Sequence, residues 1–461
     1  MSSVLPPQAA PDAASGDAAG ASNASRLAAS LARYWSSPDP DATFLGDLAD
    51  RMRAARRSRR PHRGPPRRAL VIGYAGAGNT GADLRTIETI LQLRRHLPGL
   101  GIDLFALGTL FDHPVLAAIP KFRPGRRYIP DVLDAVVRNY DLVLNTEGST
   151  YTSTFSDLFA GQLIGALGIA AAHGQRAIAY GVDSGRMSDA LTAFALENAA
   201  DVTVVTRNEA ARAQLGAIGI ASSSGTDPGW GYRDATLDHA AAAKGPRTIA
   251  ICPSNAFWWP TASDVPRARE LDARGEHSPL RYNNFHFHSW DDRRAAAYDH
   301  YIDEQARIVD GFRLRGLEPV LVGMDRLDAA ACADVAARAA IAPAIVLRGE
   351  SSLSEVLQTL THAECVVTTR FHAALVAIAH GLPVFGLAID ERIERLLADA
   401  GSASWWARAD TPAPSIRVMA AFDRLFADGA ERAALRARHL EFASRQAAAF
   451  EAMTAHLPSC G

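Results

Sequence analysis

The chain has 461 residues, 48% apolar and 21% charged, with 48 basic against 50 acidic side chains. That balance fits a globular protein long enough for two domains and excludes a general electrostatic pull toward nucleic acid or membrane. No apolar run reaches the roughly 18 residues of a membrane span, and the amino terminus carries no signal-peptide core.

Residues 1–23 are rich in Ala, Ser, Gly and Asp, too polar to bury a core. Short helical patterns surround 27–31 and 45–52, and nine arginines with three prolines fall between 51 and 68. The expectation is a disordered, basic extension over 1–66. It reads either as a solvated linker or as a tether giving peripheral contact with a membrane. An ordered core opens with an apolar strand over 69–74, a glycine-rich turn and an amphipathic helix over 82–97. Strand patterns at 102–107, 142–145, 177–180 and 202–205 alternate with helical ones at 131–138, 157–172, 189–198 and 209–217. A turn-rich stretch over 222–246 reads as a connection. Alternation then resumes, with strands at 248–252, 319–322, 344–347, 365–367 and 384–387 and helices between and after them. Such alternation predicts parallel sheets covered by helices. The expected architecture is α/β, with Rossmann-like domains over 67–240 (acceptor side) and 245–426 (donor side), a cleft between them and a C-terminal helix over 427–461. Cys252, Cys332, Cys365 and Cys460 stand without a paired spacing, so reduced thiols and a cytoplasmic protein are expected.

The most informative stretch is Thr369-Arg370-Phe371-His372, followed by Gly381-Leu382-Pro383. A strand before it and a helix after it place Arg370 and His372 at the carboxyl edge of a parallel sheet, where open α/β sheets bind ligands. A guanidinium offers a permanent fork for phosphate or carboxylate, and an imidazole exchanges protons near neutrality. Gly76-x-Gly78-x-x-Gly81 follows the first strand. It fits a dinucleotide fingerprint only weakly, because no acid stands at a strand end about 20 residues on.

These residues resemble the polysaccharide pyruvyl transferase family over roughly 69–400. The glycine-rich turn with Asn79 and Gly81, Thr206-Arg207-Asn208-Glu209, Asp227-Pro228 and the Arg370-x-His372 element occur in the family's order. Departures stand at Gly81-Ala82-Asp83, at Asn145-Thr146-Glu147-Gly148-Ser149 and at Phe371. The resemblance implies a glycosyltransferase B-type fold and transfer of a pyruvyl group from phosphoenolpyruvate, as co-substrate, to a sugar of a cell-surface polysaccharide precursor. The product would be a cyclic ketal. It implies no further cofactor and a glycan or lipid-linked acceptor, met at the inner membrane face where the acceptor is lipid-bound. No nucleic-acid partner is expected.

Phosphoenolpyruvate demands concentrated positive charge, which assigns Arg370 and Arg207 to the donor. His372 is the expected acid and base, and Glu147, just past the strand at 142–145, reads equally as a group that orients or deprotonates a hydroxyl and as a helix cap or interface partner. Gly78, Asn79 and Asp83 are the expected acceptor contacts in the first domain, although their loop reads equally as a purely structural turn. Trp258 and Trp290, from the aromatic segment 255–301, are expected to stack on sugar; that segment reads equally as a self-packed loop. His286-Phe287-His288 offers two ligands without an acid or cysteine pair, so no metal is assigned. The alternatives are nucleotide-sugar transfer on the same scaffold and a non-catalytic glycan-binding relative.

Overall fold

The computed structural model describes residues 29–59, 61, 64–124, 127–234, 237, 247–282 and 285–459. Cys460, Lys244 and much of the 222–246 connection lie outside them.

Seven parallel strands form the first sheet, in the order β3-β2-β1-β4-β5-β6-β7. They are β1 (Arg68–Ile72), β2 (Gly101–Phe105), β3 (Lys121–Phe122), β4 (Leu142–Asn145), β5 (Arg176–Val182), β6 (Thr203–Thr206) and β7 (Ser223–Ser224). Central strands such as β4 are buried along their whole length, as strands covered by helices on both faces must be. The helix Thr80–His96 follows β1. Asn79 caps it by accepting the Ala82 N–H at 2.9 Å, and Arg94, Arg95 and His96 sit in its last turn, at the helix dipole's negative end.

The second sheet begins with β8 (Thr248–Cys252). An antiparallel excursion follows, of β9 (Thr261–Ser263), β10 (Arg281–Tyr282) and β11 (His286–His288). Then come β12 (Glu318–Gly323), β13 (Ala344–Leu347), β14 (Cys365–Thr368), β15 (Val384–Ala388) and β16 (Trp406–Arg408). The parallel order is β13-β12-β8-β14-β15-β16. In each sheet the strand order reverses beside the first strand, between β1 and β4 and between β8 and β14. Those crevices are where such sheets bind ligands.

The expectation of disorder through residue 66 is corrected over Pro40–Arg57, which is an α-helix. Its partner is the helix Asp157–His173, whose glycines leave a groove. A Cβ at Gly161 would stand 2.3 Å from Leu45, at Gly165 2.9 Å from Leu48 and at Gly168 2.3 Å from the Met52 sulfur. Leu48 and Met52 are fully buried there, worth about 1.5–3 kcal/mol each. The arginines of the basic stretch are partly answered within the chain: Arg51 by Asp131, Arg53 by Asp50 and Glu197, Arg59 by Asp201 and Arg68 by Asp103.

One apolar cluster runs from Val71 and Leu84 through Trp230 to Leu375, Val384 and Phe450, so the two sheets share a core. The helix Gly429–Ala452 crosses back to the first domain. Trp230 meets Phe442 edge to face at 5.4 Å, and Gln92 donates to the Phe450 carbonyl at 2.7 Å. Cys252, Cys332 and Cys365 are free and buried, and no helix among the described residues is long and apolar enough to cross a membrane.

Candidate functional site

Facing carboxyl edges of the two sheets enclose a cavity of about 1240 Å³. Arg370, His372, Arg207 and Glu147 all line it, so the structure brings together the groups expected for donor and proton transfer.

Arg370 leaves β14 as the residue before the helix Phe371–Ala379. Its Nε donates to both Asp328 oxygens at 3.1 and 3.0 Å, and its Nη2 also reaches Asp328. Burial raises the Asp328 carboxyl to about 6, against the lowering effect of Arg370. His372, in the first turn of the same helix, puts Nε2 3.5 Å from Asp227. Its Nδ1 edge lies against Gly81, where an added Cβ would stand 2.0 Å away. The glycine of the first-domain turn is therefore required by the second-domain imidazole. Burial lowers the His372 pKa below its ordinary 6.5, with Asp227 pulling the other way.

Asp227 is the hub beneath the cavity. It receives Arg85, Arg207 at 3.2 Å and the Gly229 N–H at 2.9 Å. Burial alone would raise this carboxyl, but Arg85, His372 and Arg207 hold it well below the ordinary carboxylate range. Arg85 also donates to the carbonyls of Thr146 at 2.7 Å and Gly181 at 2.8 Å. Sequence reasoning missed it, because a buried arginine on a helix face carries no local signal.

Arg207 corrects its expectation in one respect. It donates to Asp183 at 2.9 Å through Nε and to Asp227 through Nη1, and it stacks 3.9 Å over the Phe371 ring. All three guanidinium nitrogens are committed and the side chain is buried, so it frames the site rather than offering an open anion clamp.

The acceptor-side expectations are corrected more fully. Asp83 is fully buried and accepts from Gly76 N–H at 3.0 Å and Arg348 at 2.9 Å. Burial raises its pKa to about 6. Arg348 comes from the second domain and also pairs with Asp112 at 2.7 Å, so Asp83 belongs to a latch between domains. Gly78 donates no face to the cavity; Arg326 packs upon it and donates its backbone N–H to the Gly78 carbonyl at 3.0 Å. Asn79 does line the cavity, with its amide bound to Asp325 across the domain boundary at 2.6 Å.

In the aromatic segment the neighbours exchange places. Trp258 packs on His288 at 4.7 Å and on Trp290 at 6.4 Å, and Trp290 on Tyr298 at 5.9 Å. These two rings form the self-packed core of the segment. Trp259 lines the cavity instead, edge-on to Phe155 at 5.2 Å and to Tyr282 at 5.4 Å. The excursion also leans on the first domain: Tyr282 and Tyr74 hydroxyls meet at 2.9 Å, and Tyr34 meets Ser263 at 3.0 Å. Glu147 stands at the rim, accepting the Ser149 N–H at 3.1 Å. Arg392, held by Asp390 at 2.6 Å and 3.4 Å from Ser149, is a further cavity cation the sequence did not flag. His288 is engaged with the Trp258 carbonyl at 3.1 Å. Among the described residues no three His, Cys, Asp or Glu side chains cluster as metal ligands.

The family described as polysaccharide pyruvyl transferase matches residues 79–391. Among solved structures, Anabaena HepE in complex with UDP-glucose superposes with a TM-score of 0.53 at 12% identity, covering 85% of this chain and 99% of that one. S. aureus MnaA with UDP gives 0.52 at 12% identity, covering 85% and 96%. The Neisseria meningitidis UDP-GlcNAc 2-epimerase bound to UDP-GlcNAc gives 0.51 at 10%, covering 84% and 98%. These likenesses show the fold, two Rossmann-like domains across a cleft in the glycosyltransferase B arrangement. None of the curated proteins compared with the chain matches it.

Proposed function

The chain belongs to the polysaccharide pyruvyl transferase family, and from that premise we propose that it transfers the pyruvyl group of phosphoenolpyruvate to a sugar of a polysaccharide precursor as a cyclic ketal. What carries the reading is the meeting of Arg370 and His372 with the Asp227 hub at one cavity between the sheets' carboxyl edges.

The chemistry requires a proton on the donor's methylene carbon, which leaves C2 electrophilic. The first sugar hydroxyl forms a bond to C2 and gives up its proton. The second hydroxyl forms the other bond as the C2–O bond to phosphate breaks, and its proton leaves with inorganic phosphate. His372, kept neutral by burial, enters as a base. As the first hydroxyl oxygen bonds to C2 it takes that hydroxyl's proton and, as an imidazolium beside Asp227, passes it to the methylene carbon in the same addition across the double bond. Arg370 meets the donor's negative charge with its exposed edge, while Asp328 fixes its direction. Glu147 at the rim orients the second hydroxyl. Trp259 and Tyr282 supply the flat, amphipathic wall against which a sugar ring stacks.

The test incubates the purified protein with phosphoenolpyruvate and candidate glycans and follows phosphate release, with His372→Ala beside the wild type. Release that depends on both substrates and on His372 supports the proposal. Thermal stabilisation by uridine diphosphate, with none by phosphoenolpyruvate, would replace it with nucleotide-sugar transfer.

A further inference from the structure

Phosphoenolpyruvate carries up to three negative charges, and the guanidiniums named so far are already answered. Arg370 faces Asp328, Arg392 faces Asp390, and Arg207 with Arg85 faces Asp183 and Asp227. Each set is close to neutral in itself. A phosphate entering there needs a cation that no carboxylate has claimed.

Arg326 is such a cation. It follows β12 in the short turn Arg326–Asp328, two residues before the carboxylate that holds Arg370. It is exposed and lines the same cavity, and its guanidinium makes no hydrogen bond or ion pair among the described residues. Its stem, by contrast, is held. A Cβ at Gly78 would stand 2.3 Å from its Cδ and 2.4 Å from its Cγ; one at Gly349 would stand 2.8 Å from Cγ and 3.1 Å from Cδ. Gly78 comes from the first domain and Gly349 from the second, with φ of +84° and +105°. Only glycine combines that backbone with that lack of bulk. A methylene stem clamped between two glycines has lost most of its rotamer freedom before any ligand arrives, so its guanidinium is pre-organised.

We propose that Arg326 is the residue that binds the donor's phosphate, while Arg370 serves the enolpyruvyl carboxylate. The assignment rests on the donor reading above and takes the place of Arg207 in it. Gly78 and Gly349 are specificity-determining through Arg326, since any side chain there would displace the stem.

Calorimetric titration of the full chain with phosphoenolpyruvate, inorganic phosphate and pyruvate, in the wild type, Arg326→Met and Arg326→Lys, tests it. Methionine keeps an apolar stem between the glycines and removes the charge. With melting temperatures matched, Arg326→Met should bind phosphoenolpyruvate and phosphate about 10- to 100-fold more weakly and pyruvate unchanged, while Arg326→Lys restores part of the loss. Wild-type affinity for phosphoenolpyruvate and phosphate in Arg326→Met overturns the assignment and leaves the donor reading standing. An equal loss for pyruvate also overturns it, because the effect is then not specific to phosphate. A wild-type protein that binds no phosphoenolpyruvate overturns the donor reading itself.

Discussion

The two rims of the cleft handle charge in opposite ways. On the first-domain rim Arg85, Arg207, Asp183 and Asp227 are each no more than 6% exposed and bind one another. On the second-domain rim the Arg370 and Arg392 side chains keep 24% and 30% of their surface, and Arg326 is exposed. A buried ion pair adds little net stability, because desolvation offsets the attraction, but breaking one strands a charge. The first rim is therefore a self-neutral frame that fixes where His372 sits. The second rim keeps part of its positive charge turned toward the cavity.

The sharpest way to break this contrast is at the hub. Asp227→Asn leaves Arg85 and Arg207 without their shared carboxylate, and denaturant unfolding should show a loss of about 3–5 kcal/mol. A loss below about 1 kcal/mol would mean the first rim is not the frame described. Next in size is His372→Ala, which should keep the fold and lower kcat by about 10²–10⁴-fold. The pH dependence sharpens this. Burial holds the folded-state pKa of His372 below 6.5, with Asp227 opposing, so the imidazole stays neutral into mildly acidic solution. The acidic limb of kcat/KM should lie below pH 6.5. For stability the sign is that of any buried neutral histidine: its contribution is present above pH 6.5 and is lost as pH falls, because the unfolded chain takes the proton first.

A smaller effect separates the two faces of the aromatic excursion. Trp259→Ala removes the ring that lines the cavity and should weaken acceptor binding by about 1–2 kcal/mol, read as a raised KM. Trp258→Ala removes a ring packed on His288 and Trp290. It should lower the melting temperature and leave KM alone. The reverse pattern would restore Trp258 to the ligand wall.

This division explains what was legible beforehand. Strand and helix alternation exposed both sheets, because buried parallel strands read as apolar runs; β3 and β7, two residues each, are too short to register. Arg370 and His372 could be placed because a strand-turn-helix junction faces the carboxyl edge whatever surrounds it. Asp83 was expected to face the acceptor because it stands beside the glycine-rich turn, whereas here it turns inward to Gly76 and Arg348. Arg207 and Asp227 stood out as motif residues, but their union with Arg85 did not: Arg85 and Asp227 lie 142 positions apart, and no spacing rule joins them. Trp258 and Trp259 differ by one position, and only the course of the backbone decides which ring faces the cavity.

The smallest expected effect lies outside the cleft and marks the limit of the comparison. Arg53 pairs with Asp50 at 2.7 Å and with Glu197 at 2.8 Å, at side-chain exposures of 47%, 70% and 40%. Water already solvates all three groups, so Arg53→Ala should change stability by no more than about 1 kcal/mol, and by less in high salt. The helix that carries Arg53 is held by Leu45, Leu48 and Met52 in the glycine groove, a contact that salt does not weaken. If Arg53→Ala instead approached the cost of Asp227→Asn, charge rather than apolar burial would be what docks the Pro40–Arg57 helix.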